Sequence, residues 1–169
     1  MLQFVENYRK LQHVSQPQLE NVMIGDMIAD LQHLYPAPVF RYDIENPEQM
    51  LRVDRSQIEQ VLINLLKNAQ EAVENDVQQS SDNAKEPCVR LSTHLSDNKR
   101  NFIISVIDNG KGILPEVLNR IFVPFFTTKT SGSGIGLSIC KQIVTLHGGT
   151  ITASSQPDEK TTFNVVLPA

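Results

Sequence analysis

Between Asp108 and Gly136 the chain reads DNGKGI, then a polar and aromatic passage, then SGSGIGL. An aspartate closes an apolar run, a glycine pair follows it, and alternating glycines open a new apolar run. That order suggests a nucleotide site, with a strand closing on a carboxylate and a helix opening on backbone amides. Glycine allows several N–H groups to turn toward one point. A helix N-terminus adds positive partial charge there. The combination suits the phosphates of a nucleotide, although glycine spacing alone also fits a flexible loop. It is not a P-loop, since Gly136 is followed by Leu137 instead of Lys-Ser/Thr. Nor is it the dinucleotide fingerprint, because the spacing is two and two, with no preceding strand.

Asn64 and Asn68 lie four apart in the strongest helical pattern of the chain. Asp54 is the expected N-cap, and Ile58, Val61, Leu62, Leu65, Leu66, Ala69 and Ala72 form the apolar stripe. The two asparagines therefore point the same way, one turn apart. They can cap buried groups or face solvent. They can also offer amide oxygens to Mg²⁺ and amide nitrogens to phosphate, since Mg²⁺ takes oxygen ligands and few of them from protein. Asp108 fits a turn, given Asp-Asn-Gly. The buried strand before it and Ile113 after it aim the carboxylate inward. There it needs donors, and the adenine amino group is one. The guanine oxygen would repel it. Gly110 and Gly112 would let backbone approach the ring. Lys129 can meet a terminal phosphate as a point charge, and Lys67 is a weaker candidate. Phe122, Phe125 and Phe126 read as core or as the anchor of a loop that closes over nucleotide.

Around these motifs the pattern alternates. Helical spacing is expected over 1–13, broken by Ser15-Gln16-Pro17, and again from Ile24 to Leu34. A short strand covers Val39–Ile44. A polar loop spans 75–87. Hairpins join Val89–Leu95 to Phe102–Ile107 and Thr150–Ser154 to Thr161–Leu167. Between them lie a short helix from Pro115 to Phe122, a mobile loop over 123–133, and a helix from Ile135 to His147 closed by Gly148. The expected fold class is α/β, a two-layer sandwich with a mixed, mainly antiparallel sheet and helices on one face. Residues 1–16 are read as the end of another helix with a linker, and 17–169 as the domain.

The 169 residues are 40% hydrophobic and 20% charged, with net charge -4 and no basic cluster, so nucleic acid is disfavoured as a partner. No apolar run reaches about 18 residues, so no membrane contact is expected of this stretch. Cys88 and Cys140 read as reduced packing residues of a cytoplasmic protein. His13, His33, His94 and His147 lack metal-ligand spacing. The cationic form of His147 would suit the end of its helix.

Taken together, the motifs resemble the catalytic ATP-binding domain of sensor histidine kinases, in the superfamily shared with gyrase, Hsp90 chaperones and MutL (a Bergerat-type ATP-binding fold). Asn64 to Ala72 resembles the asparagine box. Asp108-x-Gly110-x-Gly112 resembles the first glycine box. Phe122 to Lys129 resembles the phenylalanine box and start of the ATP lid, and Gly132-x-Gly134-x-Gly136-Leu137 the second glycine box. His147-Gly148-Gly149 and Thr161-Thr162-Phe163 resemble the closing elements.

The resemblance implies that Asn68 holds Mg²⁺, that Asn64 and Lys129 assist at the phosphates, and that Asp108 binds adenine. It adds Lys67, Ile113, Phe126, Thr127, Gly132, Ser133, Gly134, Ile135, Gly136 and Leu137 to the ATP/ADP site, with a lid over about 123–136. The segment FVENYRKL resembles the end of a dimerisation helix. The implied activity is transfer of the γ-phosphoryl of ATP to a histidine on a dimerisation domain of the same protein. A response regulator would lie downstream, and a homodimeric phosphoprotein in two-component signalling is expected, anchored to a membrane or not. No phosphoacceptor motif is present, since LQHVSQP around His13 does not fit, so the acceptor helix is expected upstream. Hydrolytic relatives carry a glutamate where Asn64 stands, and an amide is a poor base. A nucleotide-binding regulatory or scaffold module without transfer, a related ATPase and a serine kinase are the alternatives.

Overall fold

A computed structural model describes residues 1–79, 85–130 and 132–169. The chain order is α1 (Leu2–Gln12), β1 (Glu20–Met23), α2 (Ile24–Leu34), β2 (Phe40–Ile44), β3 (Met50–Val53), α3 (Arg55–Gln79), β4 (Val89–Leu95), β5 (Asn101–Asp108), α4 (Pro115–Leu118), α5 (Gly136–Leu146), β6 (Thr150–Gln156) and β7 (Lys160–Pro168). Among the described residues no helix is long and apolar enough to cross a membrane.

Five strands form the main sheet in the order β2-β4-β5-β7-β6. β2 runs parallel to β4, and the other pairs are antiparallel. Alternation explains why the sheet has one dry face. Along β5, Phe102, Ile104, Val106 and Asp108 are buried. Along β7, Thr161, Phe163, Val165 and Leu167 are buried. The helices α3 and α5 cover that face and pack on each other, and α2 packs on α3. Asp108 shares the parity of the core residues before it, so the strand itself turns its carboxylate toward the helices.

The stripe on α3 buries Ile58, Val61, Leu62, Leu65, Leu66, Ala69 and Val73. Each fully buried aliphatic side chain of this kind contributes about 1.5–3 kcal/mol. Val73 takes the place expected for Ala72, which is only half-buried. The helix also runs to Gln79, through residues expected to be loop. Polar composition misled there: the chain 75–79 is polar but contains no glycine or proline to stop a helix. The rest of the expected loop includes residues 80–84, which lie outside the described residues. Farther along, α4 stops at Leu118 and a run of turns replaces the helix expected to reach Phe122.

A second sheet was not expected. β1 pairs antiparallel with β3, from Glu20↔Val53 to Met23↔Met50. Each strand has four residues. That is too short for alternation to show against its neighbours, and the pairing is long-range.

Candidate functional site

The site forms where β5 ends, α3 passes and α5 begins. Asp108 is 4% exposed. Its Oδ1 accepts the Gly110 N–H at 3.0 Å, its one hydrogen bond among the described residues. Burial raises its carboxyl to about 6, and the Gly110 amide only partly opposes that rise. A buried carboxylate with one donor retains capacity for a further N–H donor, such as the exocyclic amine that an adenine would offer. Its register neighbour on β7, Thr161, is also buried, and the Thr161 hydroxyl lies 2.9 Å from Ser155 Oγ. Ser155 Oγ also accepts the Ile113 N–H at 2.8 Å, which ties the first glycine turn to β6.

The two glycines of that turn are needed by the chain itself. A Cβ on Gly110 would stand 2.8 Å from the Ala72 carbonyl oxygen on α3. Gly112 has φ +79, and a Cβ there would meet the Gln156 carbonyl oxygen at 2.8 Å. The turn after Asp108 is thus pressed between α3 and the β6–β7 turn, which keeps the carboxylate buried.

On α3, Asn64 and Asn68 lie on one face, as spacing required, and both are half-buried. The Asn64 amide sits against Gly136, the first residue of α5: a Cβ on Gly136 would be 2.8 Å from Asn64 Oδ1. No side chain caps α5 at its N-terminus. Its first N–H groups therefore remain open to an anion. Ile135 is buried, its carbonyl accepting from Ser138 Oγ and from the Ile139 amide. Leu137 is half-buried and Ser133 exposed.

The passage between the glycine clusters is pinched at its base. The Phe125 N–H donates to the Gly134 carbonyl at 2.8 Å. Phe125 has φ +64 and Gly134 φ +70. A Cβ on Gly134 would lie 2.5 Å from the Phe125 carbonyl carbon. Above this pinch, Thr127 Oγ1 accepts the Lys129 N–H at 3.0 Å, and Gly132 approaches that same hydroxyl. Ser131, within the expected lid, lies outside the described residues. Lys129 then reaches α3, where its ammonium is 3.3 Å from Asn68 Oδ1 and ion-paired with Glu71. A cation thus rests on the asparagine oxygen expected to hold a metal. Asn68 would supply one ligand if a metal bound there. No three His, Cys, Asp or Glu side chains converge elsewhere among the described residues, so Mg²⁺ here would complete its shell with phosphate oxygens and water.

Lys67 is exposed and makes no hydrogen bond or ion pair among the described residues. The three phenylalanines divide. Phe122 packs edge-on against Phe163, centroids 6.3 Å apart. Phe126 lies under the Arg120 guanidinium at 4.6 Å. Phe125 stacks on Phe4 of α1 at 5.1 Å, which joins the first helix to the base of the passage between the glycine clusters. Sequence reasoning passed over Glu71 and Phe4. Glu71 was legible: it stands three residues after Asn68 and seven after Asn64, on the same helix face. Nothing local marked Phe4. His147 differs from expectation too. Its Nε2 accepts the Asp54 N–H at 3.0 Å, and its Nδ1 faces the Ile143 carbonyl at 2.7 Å. That arrangement uses the neutral ring, with the proton on Nδ1, and not the cation.

A family model described as "Histidine kinase-, DNA gyrase B-, and HSP90-like ATPase" matches residues 53–169. The Sensory histidine kinase/phosphatase NtrB of Rhizobium meliloti (strain 1021) is 41% identical over 120 residues, 69% of this chain and 31% of that protein. The Sensor histidine kinase ZraS of Escherichia coli (strain K12) is 38% identical over 119 residues, 70% of this chain and 23% of that protein. The chain thus spans about a third or less of their length. Among solved structures, the nucleotide-free catalytic domain of histidine kinase ThkA superposes with TM-score 0.74 at 28% identity, covering 89% of this chain and 95% of that one. Full-length ShkA in complex with AMPPNP shares the fold, with TM-score 0.79 at 21% identity, over 99% of this chain and 35% of that one.

Proposed function

This chain belongs to the histidine kinase-, DNA gyrase B-, and HSP90-like ATPase family, as a catalytic ATP-binding domain of the sensor histidine kinase kind, and from that premise we propose that it binds Mg-ATP between Asp108 and the start of α5 and presents the γ-phosphoryl to a histidine on a separate dimerisation domain. The observation that carries this reading is that α3 sets Asn64 against the uncapped start of α5 and Asn68 against Lys129, while its Ala72 backs the turn that follows the buried Asp108. Asp108 takes the amine of the base and holds it in one orientation. The α5 amides and Lys129 supply donors and positive charge to the phosphates. Asn68 offers its side-chain oxygen to Mg²⁺, which neutralises charge on the phosphate oxygens when bound. What remains for the chain is positioning, which is most of what phosphoryl transfer asks of a protein.

The residues favour transfer over hydrolysis. Asn64 is a neutral amide and cannot take a proton from water. In this reading residues 1–16 are the end of a dimerisation helix with its linker, the whole protein is a homodimeric two-component kinase working from the cytoplasm, and a response regulator receives the phosphoryl group.

The test supplies the dimerisation domain of the same protein, its histidine intact, with γ-labelled Mg-ATP. Label on that histidine is the expected result. ATP binding without transfer, in the full-length protein as well, would replace this reading with a regulatory nucleotide module.

A further inference from the structure

The contact between Lys129 and Glu71 is one that phosphoryl transfer does not itself require. Glu71 follows Asn68 by three residues on α3, and the Lys129 ammonium meets the side-chain oxygens of both. The loop delivers it in an ordered shape. Its base is pinched by the Phe125–Gly134 hydrogen bond, and its crest is turned by Thr127 Oγ1 on the Lys129 N–H. Both side chains keep water contact, at 44% exposure for Lys129 and 36% for Glu71. A neutral amide oxygen alone would hold an ammonium weakly in such a setting, and the carboxylate is what makes the position favourable.

From this geometry we propose that Glu71 is a positioning residue that latches the lid in the nucleotide-free domain. It parks Lys129 across the phosphate region, with the ammonium on the Asn68 oxygen that a divalent cation needs. The proposal rests on the reading of this site as one for Mg-ATP. Two consequences follow. The metal and Lys129 compete for Asn68 Oδ1, so nucleotide enters only the fraction of molecules in which the latch is open, and apparent affinity falls by that fraction. On entry Lys129 exchanges a carboxylate for phosphate oxygens, so its charge stays partnered in both states and the lid closes without stranding it.

The experiment has two arms, each comparing the chain with Glu71→Gln, Lys129→Met and the double variant. Hydrogen exchange of the nucleotide-free chain reads the amides of residues 126–130. Exchange about two- to fivefold faster is expected in all three variants, the size of effect a solvent-screened ion pair gives. Unchanged exchange in Glu71→Gln overturns the latch. Calorimetry with Mg²⁺ and AMPPNP reads the competition. Glu71→Gln is expected to bind about two- to fivefold tighter, and the gain is expected to vanish in the Lys129→Met background. Weaker binding in Glu71→Gln would make Glu71 a metal ligand instead. An equal gain in both backgrounds would make it a simple repulsive charge. Either result overturns the proposal. Failure of the unaltered chain to bind AMPPNP would instead strike the nucleotide reading, and the exchange arm would still decide the latch.

Discussion

Asn64 on α3 lies against Gly136 at the start of α5, so closely that a Cβ on Gly136 would stand 2.8 Å from Asn64 Oδ1 and 3.0 Å from Nδ2. The contact sets an amide on one helix against the open N–H groups of another. It makes a sharp substitution available. Gly136→Ala suits the helix by intrinsic propensity, where alanine exceeds glycine by about 1 kcal/mol, but it must push Asn64 aside. We expect AMPPNP affinity to fall about tenfold, roughly 1.4 kcal/mol, while the melting temperature shifts by only a few degrees. Parental affinity in this variant would remove Asn64 from the phosphate site.

Asp108 trades stability for its acceptor. Burial holds its carboxyl at about 6, against about 3.9 in an unfolded chain. Ionising it at pH 7 therefore costs the folded state about 3 kcal/mol. Asp108→Asn keeps an oxygen for the Gly110 N–H and drops the charge. Urea unfolding at pH 7 is expected to show a gain of about 2 kcal/mol, with ADP binding lost. A loss of stability would mean that burial is not what raises the carboxyl.

Nucleotide affinity and fold stability should part company on acidification. As pH falls through about 6 the Asp108 carboxyl takes up its proton. The folded state does so before the unfolded one, so the destabilisation from this group fades between about pH 6 and pH 4. ADP affinity runs the other way, because the anionic acceptor disappears, and should weaken toward about tenfold per unit below pH 6. Asp54 has the opposite sign. Burial pushes it up, but the N–H groups of Gln18 and Gln57 and the Ser56 hydroxyl outweigh that and hold it below the usual range. Its stabilisation is full above about pH 4 and is lost as pH falls through its lowered value. Calorimetry with ADP from pH 8 to 5 should therefore show falling affinity, and constant affinity across that range would remove the Asp108 carboxylate as the acceptor.

Asp54 also fastens the segment that leads into β1. Its Oδ1 accepts the Gln57 N–H at 3.1 Å and caps α3, and its Oδ2 accepts the Gln18 N–H at 2.9 Å. Asp54→Ala leaves both donors unmatched and should cost about 2–3 kcal/mol in urea unfolding. The Gln18 amide should exchange faster by more than the global change predicts. Unaltered exchange at Gln18 would show that this segment is held by other contacts, such as Gln57 Nε2 on the Ser15 carbonyl at 2.9 Å.

Much of this was legible in the chain because the signals were local. The α3 stripe, the asparagines one turn apart, both hairpins and the strand that ends on Asp108 follow from periods of 3.6 and 2 and from turn residues. The Asp54 cap was legible from its place before the stripe. So was the inward aim of Asp108, since a strand alternates its faces and the residues two and four before it, Val106 and Ile104, are apolar.

Tertiary structure alone decided what touches what across long separations. The β1–β3 pair joins segments about thirty residues apart, each too short to announce itself. His147 became a neutral acceptor because α3 begins with an N–H pointed at it. The glycines of the first turn look from sequence like room for a ligand, yet Gly110 is pressed against Ala72 and Gly112 against Gln156. Lys129 reads as a free phosphate-seeking charge until the fold brings it to Glu71. Local sequence sets backbone preference and the face on which a side chain lies. Which partner meets that face depends on packing two layers together, and no period in the chain encodes that distance.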